Sequence, residues 1–274
     1  MTKPNFMKWN DPQEALITGA SSGIGAEFAR QLASQGFNLV LVARRKKKLD
    51  EIAKELESTN GIHVTAITAD LSNIDGIDRI ANGIEGMNTL DVLINNAGFG
   101  PVGDFIDLDF KDAVGMMRVH MDAPVRLCRA ALPGMKQRGR GVIINVASGA
   151  AFLPSAGGVM YGSTKVFLVH FTEAIALEFA GTGIIIQALC PGFTHTEFHD
   201  HGELPAYKNS IPKFMWSTAA KVVAESFAAF KKKKIVLLSG LRNRFLIHLV
   251  PRSLIVAGSK KSREKLNKGK KIAV

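Results

Sequence analysis

The sequence predicts an α/β fold built on a parallel sheet, and three observations predict it. Apolar runs that read as buried strands alternate with helical patterns at a spacing of about thirty residues, as in successive βαβ units. The first run feeds a glycine-rich turn, Thr18-Gly19-Ala20-Ser21-Ser22-Gly23-Ile24-Gly25, that opens a helix. Polar motifs recur at the carboxyl ends of the runs, where ligands collect on an open parallel sheet.

Taken in order, Ala15-Leu16-Ile17 is the first strand, and Phe28, Leu32 and Ala33 follow the turn at helical spacing up to Gly36. Gly19 permits the tight turn, Gly23 lets backbone approach a pyrophosphate, and Gly25 lets the helix pack on the strand. The helix N-terminus then meets anionic phosphate. Phe37 to Ala43 is a continuous apolar run, as expected of a strand buried on both faces. Arg44 and Arg45 follow it, with Lys46 to Lys48 behind and no acid before Asp50. An acid at this strand end suits the ribose hydroxyl of NAD, whereas arginine suits the 2′-phosphate of NADP, so the expected cofactor is NADP(H).

His63 to Ala69 reads as a third strand leading into Asp70-Leu71, with Ser72 or Asn73 as the next helix cap. Leu90 to Ile94 is the fourth, ending in Asn95-Asn96-Ala97-Gly98. A single helical pattern runs from Phe110 to Met135, and Val142 to Val146 forms a fifth strand before Ala147-Ser148. Gly183 to Leu189 and Ile235 to Leu238 complete the sheet, separated by the helix 218–230.

Between the fifth and sixth strands, Met160-Tyr161-Gly162-Ser163-Thr164-Lys165 opens a long helix. Tyr161 and Lys165, four residues apart, leave the same helix face one turn apart. Free tyrosine titrates near 10, too high for efficient proton exchange at neutrality. An ammonium and a cationic cofactor ring nearby favour the phenolate, and lowering the pKa to about 7 takes roughly 4 kcal/mol. The pair is suited to general acid–base work on a carbonyl.

Together, Thr18-Gly-x-x-x-Gly-x-Gly25, Asn95-Asn-Ala-Gly98, Ser148, Tyr161-x-x-x-Lys165 and Pro191-Gly192, in this order, resemble the short-chain dehydrogenase/reductase family over about Ala15 to Gly240. The resemblance implies one doubly wound, Rossmann-type domain with strand order 3-2-1-4-5-6-7 and hydride transfer between nicotinamide and a carbonyl or alcohol. It makes Tyr161 the proton donor in reduction, Ser148 the holder of the substrate oxygen, and Lys165 the partner of the nicotinamide ribose. Asp70 and Leu71 would contact adenine, Asn96, Ala97 and Gly98 would line the cofactor groove, and Pro191, Gly192 and Thr194 would hold the nicotinamide amide. The chain departs from the pattern once. Where the family places an asparagine credited with a water in the proton relay, this chain has Val119-His120-Met121, so His120 is the relay candidate.

Residues 1–13 contain no continuous apolar run and are expected to be an extension of the domain, 14–240, rather than a leader. Two cysteines, Cys128 and Cys190, sit in apolar surroundings and point to a reducing, cytoplasmic location rather than a disulfide framework. The substrate-covering segment, 193–216, carries Phe193, Phe198, Tyr207, Phe214, Met215 and Trp216 and no arginine to grip a carboxylate. With Phe99 to Val102 and Phe152 to Pro154 across the cleft, it fits an apolar ketone or secondary alcohol. His195, His199 and His201 lie in the same segment, but no acid is spaced to complete a metal set.

The tail, 241–274, carries ten Lys/Arg against one acid and so holds +9 of the net +11, which leaves the body nearly neutral. Its apolar residues with basic flanks fit an interfacial helix at an anionic membrane, a cover over the cleft, or a dimer contact. Nucleic acid is not expected, since no aromatic stacking platform accompanies the charge. A homodimer or homotetramer follows from the resemblance alone. Two functions fit these features: an NADP-dependent oxidoreductase, or a catalytically weak NADP(H)-binding sensor or scaffold docked by the basic tail.

Overall fold

In the computed structural model, residues 11–100, 103–200, 212–230 and 234–240 are described, with isolated positions at 232 and between 243 and 264. Seven parallel strands form one sheet in the order β3-β2-β1-β4-β5-β6-β9. They are β1 (Glu14–Thr18), β2 (Asn38–Ala43), β3 (Val64–Thr68), β4 (Leu90–Asn95), β5 (Gly141–Val146), β6 (Ile184–Cys190) and β9 (Val236–Leu238). This is the order expected, with β9 in the place of the seventh strand. The two-residue strands β7 (Thr194–His195) and β8 (Ser217–Thr218) pair parallel to each other away from the main sheet.

The continuous apolar runs are explained by burial on both faces. Against one face, α1 (Gly23–Ala33), α2 (Lys46–Asn60) and α7 (Ala219–Phe230) pack Phe28, Leu49, Ile52 and Phe227 into a common core. Phe28 and Phe227 meet edge to face at 5.6 Å. Against the other face lie α3 (Ile74–Glu85), α5 (Ala123–Arg138) and α6 (Val159–Glu178), with Ile77, Ile80, Leu127 and Met135 buried. Right-handed crossovers bring every strand in the same direction, so the loops after β1, β4, β5 and β6 share one edge.

The helix expected over 110–135 is instead three pieces. α4 (Phe110–Met117) passes through one π-helical turn, Arg118–Asp122, into α5, and His120 sits in that turn. An inserted residue does not change the apolar pattern enough to be read from spacing, and π-turns concentrate where a helix must aim a side chain. Among the described residues no helix is long and apolar enough to cross a membrane, and no group of side chains could hold a metal ion.

Candidate active site

The shared strand edge begins with the glycine turn. Gly19 has a φ of +66°, and a Cβ there would come within 2.8 Å of the Ala97 backbone. A Cβ on Gly25 would run into the Gly19 carbonyl, so this turn closes only with glycine at both positions. Asn96 braces it: its side-chain amide donates to the carbonyls of Thr18 and Gly19 at 3.0 and 3.2 Å. The Thr18 hydroxyl accepts from the N–H groups of Asn96 and Ala97. The start of α1 has no acid in its first turn, and Ser22 makes no side-chain cap bond. That uncapped N-terminus beside backbone freed of Cβ atoms fits a pyrophosphate. Ile24 turns away to pack on the core.

After β2, Arg44 is exposed while Arg45 turns back over the glycine turn. The Arg45 guanidinium donates to Ser21 Oγ at 2.8 and 3.2 Å and to Ser22 Oγ at 2.8 Å. Two serines and a guanidinium at this strand end fit the 2′-phosphate of a dinucleotide. Leu71 is buried, and the Asp70 carboxylate accepts from the Ser72 N–H at 3.0 Å, which holds that loop against the groove. On the opposite side, the Pro191 carbonyl accepts from the Gly149 N–H at 2.8 Å, and the Thr194 hydroxyl donates to the Gly192 carbonyl at 3.0 Å.

Ser148 stands two residues beyond β5; its Oγ accepts from the Ala150 N–H at 3.1 Å, and its side chain lies beside the Tyr161 hydroxyl. Lys165, 4% exposed, donates from Nζ to the Val146 carbonyl at 3.1 Å and lies 5.6 Å from the Tyr161 ring centroid. The structure thus brings Ser148, Tyr161 and Lys165 together as expected. Their electrostatics differ from the expectation. Among the protein's own groups, burial dominates and pushes the Tyr161 hydroxyl above its ordinary value, with the Ser148 hydrogen bond acting the other way. Burial likewise pushes Lys165 down to about 7, so the cation that was expected to lower the tyrosine is itself disfavoured.

A stability signature follows. In the folded chain Lys165 titrates at about 7 against 10.5 when free, so the unfolded chain binds more protons between those values. Unfolding free energy therefore rises with pH above 7, by up to about 1.4 kcal/mol per unit. Urea midpoints at pH 7 and 8.5 should show the rise, and Lys165→Met should flatten it. The window stops there because burial pushes both cysteines up to about 12, and their thiols oppose the trend above their ordinary 9.

His120 is fully buried at the π-turn, and both ring nitrogens are used. The Thr164 hydroxyl donates its proton to the Tyr161 carbonyl at 2.9 Å, so it accepts from His120 Nδ1 at 2.9 Å. Nε2 is then the acceptor for the Phe99 N–H at 3.2 Å. The ring also meets Tyr161 edge to face at 5.6 Å. Burial, then the neighbouring Lys165, hold the imidazole well below its ordinary value. His120→Ala should lower unfolding free energy by about 2–4 kcal/mol in urea titrations, since it opens a cavity and leaves the Phe99 N–H unpaired. In the parent protein the pH–rate profile should carry no step from this histidine near 6.5.

The cleft beyond Tyr161 is apolar. Phe198 lies tilted at 5.8 Å from the tyrosine ring, and Trp216 meets Phe193 at a tilt and stacks on His195. Tyr207 and His201 lie outside the described residues, as do Pro101 and Val102 and the side chain of His199. Three participants were not expected from sequence. Thr196 lies across Gly23, its methyl 3.0 Å from where a Cβ would stand. Asn243, from the tail, sits on Gly192 and donates to the Ser239 carbonyl at 2.8 Å. Glu197 reaches Arg45 at 2.6 Å and Lys48 at 2.5 Å. The charges of Arg45 and Lys48 were visible in the sequence; their meeting with Glu197, and the positions of Thr196 and Asn243, are contacts between residues distant in the chain.

Comparison with known proteins agrees with this geometry. The family model described as short chain dehydrogenase matches residues 13–203. The chain is 36% identical over 192 residues to "17-beta-hydroxysteroid dehydrogenase type 3" of Danio rerio, covering 68% of this chain and 62% of that protein. It therefore spans about three fifths of the length of such curated relatives. Over 237 residues it is 36% identical to "NADP-dependent 3-hydroxy acid dehydrogenase" of Schizosaccharomyces pombe, covering 83% of this chain and 90% of that one. Among solved structures, the "bulky-bulky ketone specific alcohol dehydrogenase" of Comamonas testosteroni superposes with a TM-score of 0.76 at 29% identity, covering 95% of each chain.

Proposed function

This chain belongs to the short-chain dehydrogenase family, and from that premise we propose that it transfers hydride between NADP(H) and an apolar ketone or secondary alcohol, with Tyr161 as general acid–base. The observation that carries the reading is the convergence of Ser148, Tyr161 and buried Lys165 at one strand edge, with Lys165 Nζ 5.6 Å from the Tyr161 ring centroid. A bound nicotinamide would supply the hydride to the carbonyl carbon. Ser148 Oγ and Tyr161 Oη would hold the substrate oxygen from two sides, which fixes its lone pairs toward the tyrosine proton. Tyr161 passes that proton to the oxygen as negative charge develops there, and takes one back in the reverse direction. Lys165 would hold the nicotinamide ribose and, when charged, would stabilise the phenolate left behind. His120 holds the loop at Phe99 and the start of α6 at Thr164, so it keeps Tyr161 aimed.

NADP(H) is supported by Arg45 over Ser21 and Ser22 and by the NADP dependence named for the fission-yeast relative. The apolar substrate is supported by Phe198, Phe193 and Trp216 around Tyr161, and by the steroid and bulky-ketone names of two relatives. Residues 14–240 form the catalytic body in this reading, with 193–216 as the lid. For the tail, cover over the cleft is favoured above membrane contact. Ile247 packs against the cluster of Ala147, Leu168 and Leu238, and Ser259 donates to the Pro154 carbonyl at 3.3 Å beside Phe152. Val166 and Leu177, apolar yet exposed on α6, support a homodimer or homotetramer through the long helices. A cytoplasmic location, with at most a peripheral membrane contact, completes the reading.

A panel of ketones tests it. Long-chain and ring ketones should be reduced with NADPH at far higher kcat/KM than short keto acids. Preference for a keto acid would overturn the apolar assignment.

A further inference from the structure

Among the described residues, the stem of the lid is tied to the start of α2 by the Glu197 carboxylate. Glu197 opens the 3-10 turn Glu197–Asp200, directly after β7, which pairs with β8 at the far end of the lid. One of its oxygens accepts from Arg45 Nη1 at 2.6 Å and the other from Lys48 Nζ at 2.5 Å. Just before it, Thr196 lies over Gly23 of the glycine turn. The two cations come from the start of α2, and the carboxylate arrives from about 150 residues further along the chain. They therefore meet only because the lid stem crosses the groove.

This is the arrangement an anion receptor would have with its anion in place: a guanidinium and an ammonium converge on two oxygens, with Ser21 and Ser22 hydroxyls beside them. We propose that Glu197 is an internal competitor for the 2′-phosphate site, pinning the lid stem to Arg45 and Lys48, so that a 2′-phosphorylated dinucleotide must release it and an unphosphorylated one need not. The proposal rests on the reading that Arg45 receives the 2′-phosphate, and it deepens that reading by tying cofactor choice to lid position.

The physical basis is simple. A phosphate dianion and a carboxylate cannot share the same two cations without strong like-charge repulsion at close range. The same pair of cations holds Glu197 down to about 2, so the carboxylate is charged at every working pH and its competition does not titrate away. The pairs are partly solvated, with side chains 41–42% exposed, so the latch is a modest one that a phosphate can displace. NADH, without the phosphate, can bind under a fastened stem.

Three measurements on the full chain test this without relying on turnover. First, direct titration of nucleotide binding: Glu197→Gln should tighten NADPH about fivefold and leave NADH within about twofold. Second, hydrogen exchange of the 194–198 backbone in the parent protein should quicken when NADPH is added and not when NADH is added. Third, Arg45→Ala should weaken NADPH. If Arg45→Ala weakens NADPH while Glu197→Gln leaves it unchanged, the competition is refuted and the cofactor reading stands. Equal tightening of both nucleotides by Glu197→Gln refutes it too. If Arg45→Ala has no effect on NADPH, the cofactor reading and the latch fall together. Exchange at 194–198 that slows equally with both nucleotides would show a stem that closes on any dinucleotide, and would overturn the release.

Discussion

Tyr161→Phe should reduce kcat on an apolar ketone by about a thousandfold while NADPH binding stays within about twofold. The substitution removes one oxygen and leaves the ring, which keeps its edge contact with His120 and its packing on Phe198. What is lost is the proton that the carbonyl oxygen must receive and the hydroxyl that lies beside Ser148. The turn formed by Gly19, Gly23 and Asn96 makes no contact with the Tyr161 hydroxyl and should be untouched. Retained binding with lost turnover identifies an enzyme. Unchanged behaviour of a protein that binds NADPH and turns nothing over would favour the sensor reading, in which the basic tail and the cofactor groove do the work.

Arg45→Ala should lower the preference for NADPH over NADH by about 10- to 100-fold, measured as the ratio of kcat/KM values, through the loss of a charged hydrogen-bonding partner to phosphate. The fold should tolerate the change, because the guanidinium is partly exposed and its pairs are with Ser21, Ser22 and Glu197 rather than with the core. The cluster with Ser21 and Ser22 is made by Arg45, whereas Arg44 is exposed. Two adjacent arginines are equivalent in sequence. The turn into α2 separates them, and it gives Arg45 the 2′-phosphate reading.

Much of the fold was legible because its signals are local. Continuous apolar runs such as Phe37 to Ala43 can only be satisfied between two helical layers, and glycines at 19 and 36 with positive φ mark the turns that bound α1. Ser148, Tyr161 and Lys165 could be placed on one edge because strand direction and helix phase carry them there. What could not be read depends on distance through space. The π-turn at Arg118–Asp122 changes hydrogen bonding without changing the apolar pattern. The partners of His120, at Phe99 and Thr164, come from two other elements and convert a relay candidate into a buried brace. The direction of the Tyr161 shift depends on how much water is excluded, which spacing on a helix does not report. Glu197 carries no signal in the sequence, and only the approach of its segment to the start of α2 makes it a partner of Arg45 and Lys48.

The most direct test is to follow the hydride itself. NADPH carrying deuterium on the transferable face of C4 is mixed with the full chain and a bulky apolar ketone, and the alcohol formed is analysed by mass. The account predicts one deuterium on the carbinol carbon, from a protein in which Tyr161→Phe forms almost none of that alcohol. Consumption of NADPH without label in the product, or labelled alcohol formed equally well by Tyr161→Phe, would contradict it.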